Sequence, residues 1–162
     1  MSRKAEINSL DVYVSDVPVN LAIMRLVKDW ARMRSKDPNT KVGSCVFHPE
    51  SGGMYFGYNG FPKGVPDTCF RWDNREAAHP DCKYNYVVHA ETNAVAKARM
   101  AHHHLNDCVL FVTHFPCHAC MKDSIIPSGI KQVYYANAYP ENAVSRSLAN
   151  LAGIKLAELS LP

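Results

Sequence analysis

Two short motifs constrain this chain more than any other feature of its sequence. The first is His89-Ala90-Glu91, and the second is Pro116-Cys117-His118-Ala119-Cys120. Together they offer one imidazole and two thiols as metal ligands. Each motif stands at the start of a helical pattern, and a strand-like apolar run lies between them. The fold must therefore bring two helix starts together beside one strand.

We predict that His89, Cys117 and Cys120 hold zinc and that Glu91 moves protons. Three protein ligands with a fourth position for water are typical of catalytic zinc, whereas structural zinc takes four. Zinc lowers the pKa of bound water from about 16 to roughly 7, and Glu91 would then accept and return the proton. The alternatives are a structural zinc site and a redox dithiol. The pairing of both motifs at helix starts argues against them.

Length and composition narrow the class of protein. The 162 residues predict a single domain spanning 1–162. The formal net charge of +3 is too mild for a dedicated nucleic-acid binder. No apolar run reaches the roughly 18 residues of a membrane span, and the first residues lack the apolar region of an export signal. We therefore expect no membrane partner, a cytoplasmic location and cysteines that remain reduced.

The spacing of apolar residues predicts alternating helices and strands. The predicted helices are 17–34, 89–99, 117–126 and 141–152, and the predicted strands are 42–48, 54–58, 108–113, 133–136 and 154–159. This alternation predicts an α/β fold with a largely parallel sheet, to which the first hairpin adds an antiparallel strand. Asp16 or Asn20 could cap the first helix. Residues 59–85 show no regular period and are predicted to be a functional loop or insertion.

Several segments resemble deoxycytidylate (dCMP) deaminases, and the resemblance extends from Leu21 to Leu159. They are Lys36-Asp37-Pro38-Asn39-Thr40-Lys41-Val42-Gly43, Gly57-Tyr58-Asn59-Gly60-Phe61-Pro62, Lys83-Tyr84-Asn85-Tyr86-Val87-Val88-His89-Ala90-Glu91 and Phe115-Pro116-Cys117. The resemblance implies a cytidine-deaminase-like, three-layer α/β/α fold with a five-stranded mixed sheet. It also implies zinc-dependent hydrolysis of dCMP to dUMP and ammonia, a step that supplies thymidylate synthesis.

The same resemblance implies a set of substrate contacts. Asn39 matches the position that contacts the sugar hydroxyl, and Tyr139 matches a tyrosine near the substrate phosphate. Ala90 and Phe115 flank the zinc ligands and complete the predicted pocket. Lys36 and Lys41 are further candidates for the phosphate because of their charge alone, with solvated surface lysines as the alternative.

Members of this family are typically homohexamers that dCTP activates and dTTP inhibits, with Mg²⁺ on the triphosphate. Gly57, Tyr58, Asn59 and Gly60 resemble part of that allosteric nucleotide site. Glycines let a backbone approach a nucleotide closely, Asn59 can pair with a base or sugar edge, and Lys63 could meet phosphate. A plain Asn-Gly hairpin turn is the alternative.

Two other functions are compatible with the zinc motifs. One is a polynucleotide or tRNA base deaminase, which the mild charge disfavours. The other is a non-catalytic zinc protein that senses nucleotides, which has no need of Glu91. The chain also departs from the family pattern at His114 and Thr92, which could reshape the pocket.

Overall fold

A mixed β-sheet organises the part of the chain that the computed structural model describes, residues 13–14, 17–67, 72–102, 104–138 and 142–161. The strands are β1 (Tyr13–Val14), β2 (Val17–Pro18), β3 (Gly43–His48), β4 (Gly53–Tyr58), β5 (Val109–His114), β6 (Gln132–Asn137) and β7 (Lys155–Glu158). The helices are α1 (Val19–Arg34), α2 (Ala90–Ala101), α3 (residues 118–128) and α4 (Ala143–Leu151). A short 3₁₀ helix, Lys83–Asn85, precedes α2.

The five-stranded sheet has the order β4-β3-β5-β6-β7. β3 pairs antiparallel with β4 and with β5, whereas β5, β6 and β7 run parallel to one another. The central strands are buried along nearly their whole length, as expected for strands covered on both faces. The predicted five-stranded mixed sheet is therefore confirmed. β1 and β2 form a separate two-stranded sheet before α1.

Apolar side chains form a core on each face of the sheet. On one face, Ile23 and Val27 of α1 pack with Phe111 of β5. On the other face, Ala94 of α2 packs with Leu110 in a larger cluster that α3 and α4 complete. The two layers of helices hold the ends of the central strands in fixed positions, and the chemically important residues lie at one of these ends.

Two helices differ from their predicted form. Pro18 occupies the position before α1 and makes no side-chain cap, so the prediction that Asn20 caps this helix is wrong, and Asp16 lies outside the described residues. α3 contains a π-helical stretch, Met121–Ile125. The wider turn precedes Pro127, whose ring would collide with the carbonyl four residues earlier in a regular α-helix. Gly129, with φ of 89°, ends α3.

None of the helices in the described ranges combines the length and the apolar character that a membrane crossing needs.

Candidate active site

The three predicted zinc ligands meet where α2 and α3 begin, beside the end of β5. His89 directly precedes α2, and Cys117 precedes α3, where its sulfur accepts a hydrogen bond from the backbone N–H of Cys120. His89 Nδ1 lies 3.2 Å from Cys120 Sγ and 3.5 Å from Cys117 Sγ. All three ligand atoms lie within 4.8 Å of one another. The connection from β5 to α3 carries Cys117, and the start of α2 carries His89. The fold thus brings together ligands that are distant in the sequence.

The protonation of this cluster fits a metal cation. The pKa of Cys117 falls to about 3 because its thiolate accepts hydrogen bonds from the Cys120 thiol and from His89. The pKa of Cys120 rises because it keeps its proton beside that thiolate in a buried position. A divalent cation would take the place of the shared protons. One imidazole and two sulfurs in mutual reach are a donor set that suits zinc.

Glu91 lies in the first turn of α2 and is only 4% exposed. Burial raises the pKa of its carboxyl group, and the nearby His89 opposes that shift. A carboxyl group with a raised pKa, held beside a metal cluster, is suited to take and return a proton near neutral pH.

A cavity of about 440 Å³, which we call the main cavity, opens onto this cluster. Its volume is in the range of small-molecule sites. Its walls are formed by Asn59 and by some of the residues in each of the segments 37–42, 75–91 and 114–117. The last part of the predicted 59–85 insertion therefore forms part of the wall.

Some of the predicted substrate-binding residues line the main cavity in the structure, and others do not. Ala90 and Phe115 line the main cavity. Asn39 is exposed and stands in the chain between Asp37 and Thr40, which line the cavity, but Asn39 itself does not line it. The Lys36 side chain is 69% exposed and forms an ion pair with Asp67 at 2.8 Å. Tyr139 lies outside the described residues.

Sequence reasoning assigned no role to a buried ion pair in the cavity wall. Lys83 Nζ donates to both carboxylate oxygens of Asp37, at 3.0 and 2.8 Å, and both side chains are less than 5% exposed. The backbone N–H groups of Asn39 and Thr40 also donate to Asp37. Burial opposes ionisation, but these bonds outweigh it and hold the pKa of Asp37 below its ordinary value. The pair thereby fixes the loop that carries Asn39.

Asn59 completes the same network from the predicted allosteric loop. Its Nδ2 donates to the carbonyl of Thr40 at 2.9 Å, and its Oδ1 accepts from the backbone N–H of Val42 at 2.9 Å and from the hydroxyl of Ser35 at 2.7 Å. The residue is 6% exposed and lines the main cavity. Its amide is thus used internally, so a contact with an effector through this group would require these bonds to break.

The other predicted effector residues have separate surroundings. The centroid of the Tyr58 ring lies 5.7 Å from the guanidinium carbon of Arg34 and 5.9 Å from Lys97 Nζ. Gly60 exchanges backbone hydrogen bonds with Val88, at 3.1 and 2.8 Å. Lys63 is exposed. Among the predicted effector residues, Asn59 is the one that lines the main cavity.

Gly57 has a structural role that the sequence does not disclose. A Cβ at this position would lie 2.1 Å from the carbonyl oxygen of Ala90 and 2.6 Å from the nitrogen of Ala94. The absence of a side chain lets β4 approach the first turn of α2, which carries Glu91.

We therefore expect Gly57→Ala to push α2 away from β4 and to lower the free energy of unfolding by about 1–3 kcal/mol. Urea denaturation measures the loss. Gly60→Ala is the matched control, because its Cβ would meet the ring of Tyr58 at 3.0 Å, and that ring can rotate away. Equal stability of the Gly57 variant and the wild-type protein would contradict the close-packing argument.

Loss of a zinc ligand should be visible in the metal content. We expect the Cys120→Ser variant to retain less than about one tenth of the zinc of the wild-type protein after dialysis, since a thiolate is lost from a three-ligand set. Plasma mass spectrometry measures the ratio of zinc to protein. Cys108→Ala, which removes a buried thiol from the apolar core, should leave that ratio unchanged. Similar zinc contents in both variants would argue against the assigned ligands.

Comparison with known proteins places this geometry in a family. Residues 19–137 match the model of the cytidine and deoxycytidylate deaminase zinc-binding region. A probable deoxycytidylate deaminase of Caenorhabditis elegans is 39% identical over 132 residues, which cover 80% of this chain and 64% of that protein. The human deoxycytidylate deaminase is 38% identical over 125 residues, covering 75% and 68%. The chain thus matches about two thirds of the length of these curated relatives.

A solved structure shows the same architecture. The crystal structure of dCMP deaminase from the cyanophage S-TIM5, in complex with dCMP and dUMP, superposes with a TM-score of 0.69 at 27% identity. The superposition covers 87% of this chain and 96% of the phage protein. Together with the family match and the cluster of one histidine and two cysteines, these similarities show that the chain belongs to the cytidine and deoxycytidylate deaminase family.

Proposed function

We propose that this protein hydrolyses dCMP to dUMP and ammonia and so supplies a precursor of thymidylate. The observation that carries the proposal is the cluster of His89, Cys117 and Cys120 with the buried Glu91 beside it, at a cavity of about 440 Å³. The names of the curated relatives and the dCMP-bound phage enzyme support the choice of substrate.

The residues of the site divide the chemistry between them. His89, Cys117 and Cys120 would hold zinc, which when bound supplies a Lewis acid that lowers the pKa of a water molecule. Glu91 would take a proton from the attacking water molecule, whose oxygen adds to C4 of the pyrimidine. It then delivers a proton to N3 and assists the departure of ammonia as the bond between C4 and the exocyclic nitrogen breaks. The reaction consumes one water molecule and releases one ammonia molecule, so its atoms balance.

The cavity wall would hold the nucleotide during these steps. Ala90 and Phe115 are buried beside the zinc ligands and provide contact area for the base. The predicted sugar contact, Asn39, lies in the loop that the Asp37–Lys83 ion pair anchors. An anchored loop loses less conformational entropy when substrate binds, which favours productive orientation.

We also propose regulation by dCTP as activator and dTTP as inhibitor, each with Mg²⁺, in a cytoplasmic homohexamer. The setting of Tyr58 supports this part. Its ring has the Arg34 and Lys97 cations within 6 Å of its centroid, and an aromatic ring with two cations nearby suits a stacked base whose triphosphate lies close to it.

Turnover by the zinc-loaded protein tests the proposal. Ultraviolet absorbance follows the loss of the amino group from dCMP, with CMP and deoxycytidine as competing substrates. Failure to convert dCMP both with and without dCTP would refute the proposed reaction. Opposite shifts of the rate curve by dCTP and dTTP, with a hexamer in analytical ultracentrifugation, are the expected signs of the proposed regulation.

A further inference from the structure

The first turn of α4 contacts the segment that carries Cys117. We call this segment, residues 115–118, the ligand turn, because it leads from β5 into α3 and contains a predicted zinc ligand. Ser145 of α4 and Pro116 of the ligand turn are 29 positions apart in the sequence, yet a hydrogen bond joins them. None of the proposed chemical steps uses a group of α4, so any contribution of this helix has to pass through the ligand turn.

The central contact is a buried hydrogen bond. Ser145 Oγ donates to the carbonyl oxygen of Pro116 at 2.7 Å, and Ser145 is 0% exposed. Pro116 is buried as well. Proline has no N–H group, so its carbonyl is the one backbone group through which a hydrogen bond can hold it. Water cannot take the place of the hydroxyl at a buried position, which makes the loss of this bond costly.

The bond fixes more than Pro116, because a peptide unit is rigid. The carbonyl of Pro116 lies in the same plane as the nitrogen and the Cα of Cys117. A rotation of that plane moves the nitrogen of Cys117 and so changes the direction of its Cα–Cβ bond. The Ser145 hydroxyl therefore acts on the sulfur of Cys117 through one rigid unit. That sulfur lies 3.5 Å from His89 Nδ1, a separation that a small rotation would change.

The same turn of α4 also contacts the ligand turn on both sides of the zinc ligand. On one side, the guanidinium carbon of Arg146 lies 5.1 Å from the centroid of the Phe115 ring. On the other side, Asn142 Nδ2 lies 3.4 Å from His118 Nδ1. Asn142 Oδ1 accepts the backbone N–H of Ser145 at 3.0 Å, which caps α4 and fixes its first turn. Three side chains from one end of α4 thus meet three residues that surround the zinc ligand.

We propose that Ser145 is a positioning residue of the zinc site, and that the first turn of α4 holds the ligand turn in the form that brings Cys117 towards His89 and Cys120. The inference rests on the zinc ligands of the proposed function and is independent of the choice of dCMP as substrate. Ligands that are already in place lose less conformational freedom when the metal binds. Residues that orient metal ligands without touching the metal contribute about 10–100-fold to metal affinity.

The zinc affinity of the Ser145→Ala variant tests this role. The zinc-loaded protein is titrated with a chromogenic chelator of known affinity, and circular dichroism verifies the fold. We expect the dissociation constant for zinc to rise by about tenfold or more. The matched control is Ser44→Ala, because Ser44 is also 0% exposed and donates to a carbonyl, that of Phe111, at 2.9 Å. Its loss should change the constant by less than about twofold. Equal constants for the two variants would show a hydroxyl that serves stability alone and would overturn the proposal.

A second variant tests the same turn of α4 at a less buried position. Asn142→Ala removes the cap of α4 and the contact with His118, and the side chain is half-buried, so the variant should fold. We expect the dissociation constant for zinc to rise by about threefold or more. If Ser145→Ala does not fold, this variant decides, and a constant equal to that of the wild-type protein then overturns the proposal.

Turnover separates this inference from the proposed reaction. A wild-type protein that binds zinc but does not convert dCMP refutes the reaction, while the zinc affinities still decide the role of Ser145. A wild-type protein that binds no zinc overturns both. With zinc in excess, the Ser145→Ala variant should recover turnover, because the groups that carry out the reaction are all present.

Discussion

The Glu91→Gln variant is expected to lose turnover of dCMP by a factor on the order of 10³–10⁴ while it keeps its zinc and its fold. An amide has nearly the shape of a carboxylate, so the packing at the start of α2 stays intact. The amide, however, cannot accept the proton of the attacking water or carry a proton to N3. Both proton transfers therefore fail in one substitution. Initial rates from ultraviolet absorbance measure the loss.

Three measurements make this result specific. Zinc content and thermal unfolding of the Glu91 variant should equal those of the wild-type protein. Glu158→Gln, at an exposed position in β7, should keep full activity. A Glu91 variant that retains more than about one tenth of the wild-type rate would show that another group moves the proton.

The second large effect concerns stability. Lys83→Met leaves Asp37 as a buried carboxylate without its cation, and removal of one partner from a buried pair costs about 3–5 kcal/mol. Urea denaturation at neutral pH measures the change. The control is Lys122→Met, because Lys122 and its partner Asp123 are each 63% exposed. An exposed pair contributes less than about 1 kcal/mol, so the control should unfold like the wild type.

The pH dependence gives this prediction a second readout. The pKa of Asp37 is lower in the folded protein than its unfolded value of about 3.9. The unfolded state therefore binds the proton first, and the stability that the pair contributes is complete above that value and is lost as pH falls through the lower folded pKa. The difference between the wild-type protein and Lys83→Met should shrink below about pH 4. A difference that stays constant down to pH 2 would contradict the assignment.

Local patterns predicted much of this molecule. The apolar runs around Phe111 and Val133 predicted buried strands, and their alternation with helices predicted a mixed sheet. The spacing of Cys117 and Cys120 predicted two sulfurs on one side of a helix turn. These features depend on contacts within a few residues or on the strong rule for parallel connections, so the sequence alone carries the signal.

The missed features depend on contacts between distant residues. Asp37 and Lys83 are 46 positions apart, and each alone looks like a solvated surface charge. Asn59 looked available to a nucleotide, and only the fold shows its amide bonded to the loop at 40–42. Asp37 and Lys83 both stand in segments that carry the family resemblance, but the resemblance marks the segments and gives no pairing between them.

The Asp37 carboxylate also determines where this chain tolerates changes in length. Both ends of the 59–83 segment, Asn59 and Lys83, bond to that one carboxylate, so the segment leaves the site and returns to it at the same point. For a flexible loop with fixed ends, each doubling of length costs only about 0.6 kcal/mol of closure entropy. Residues can therefore be added at an exposed turn such as Gly64, which lies between the two anchors in the chain, while the wall of the main cavity keeps its form.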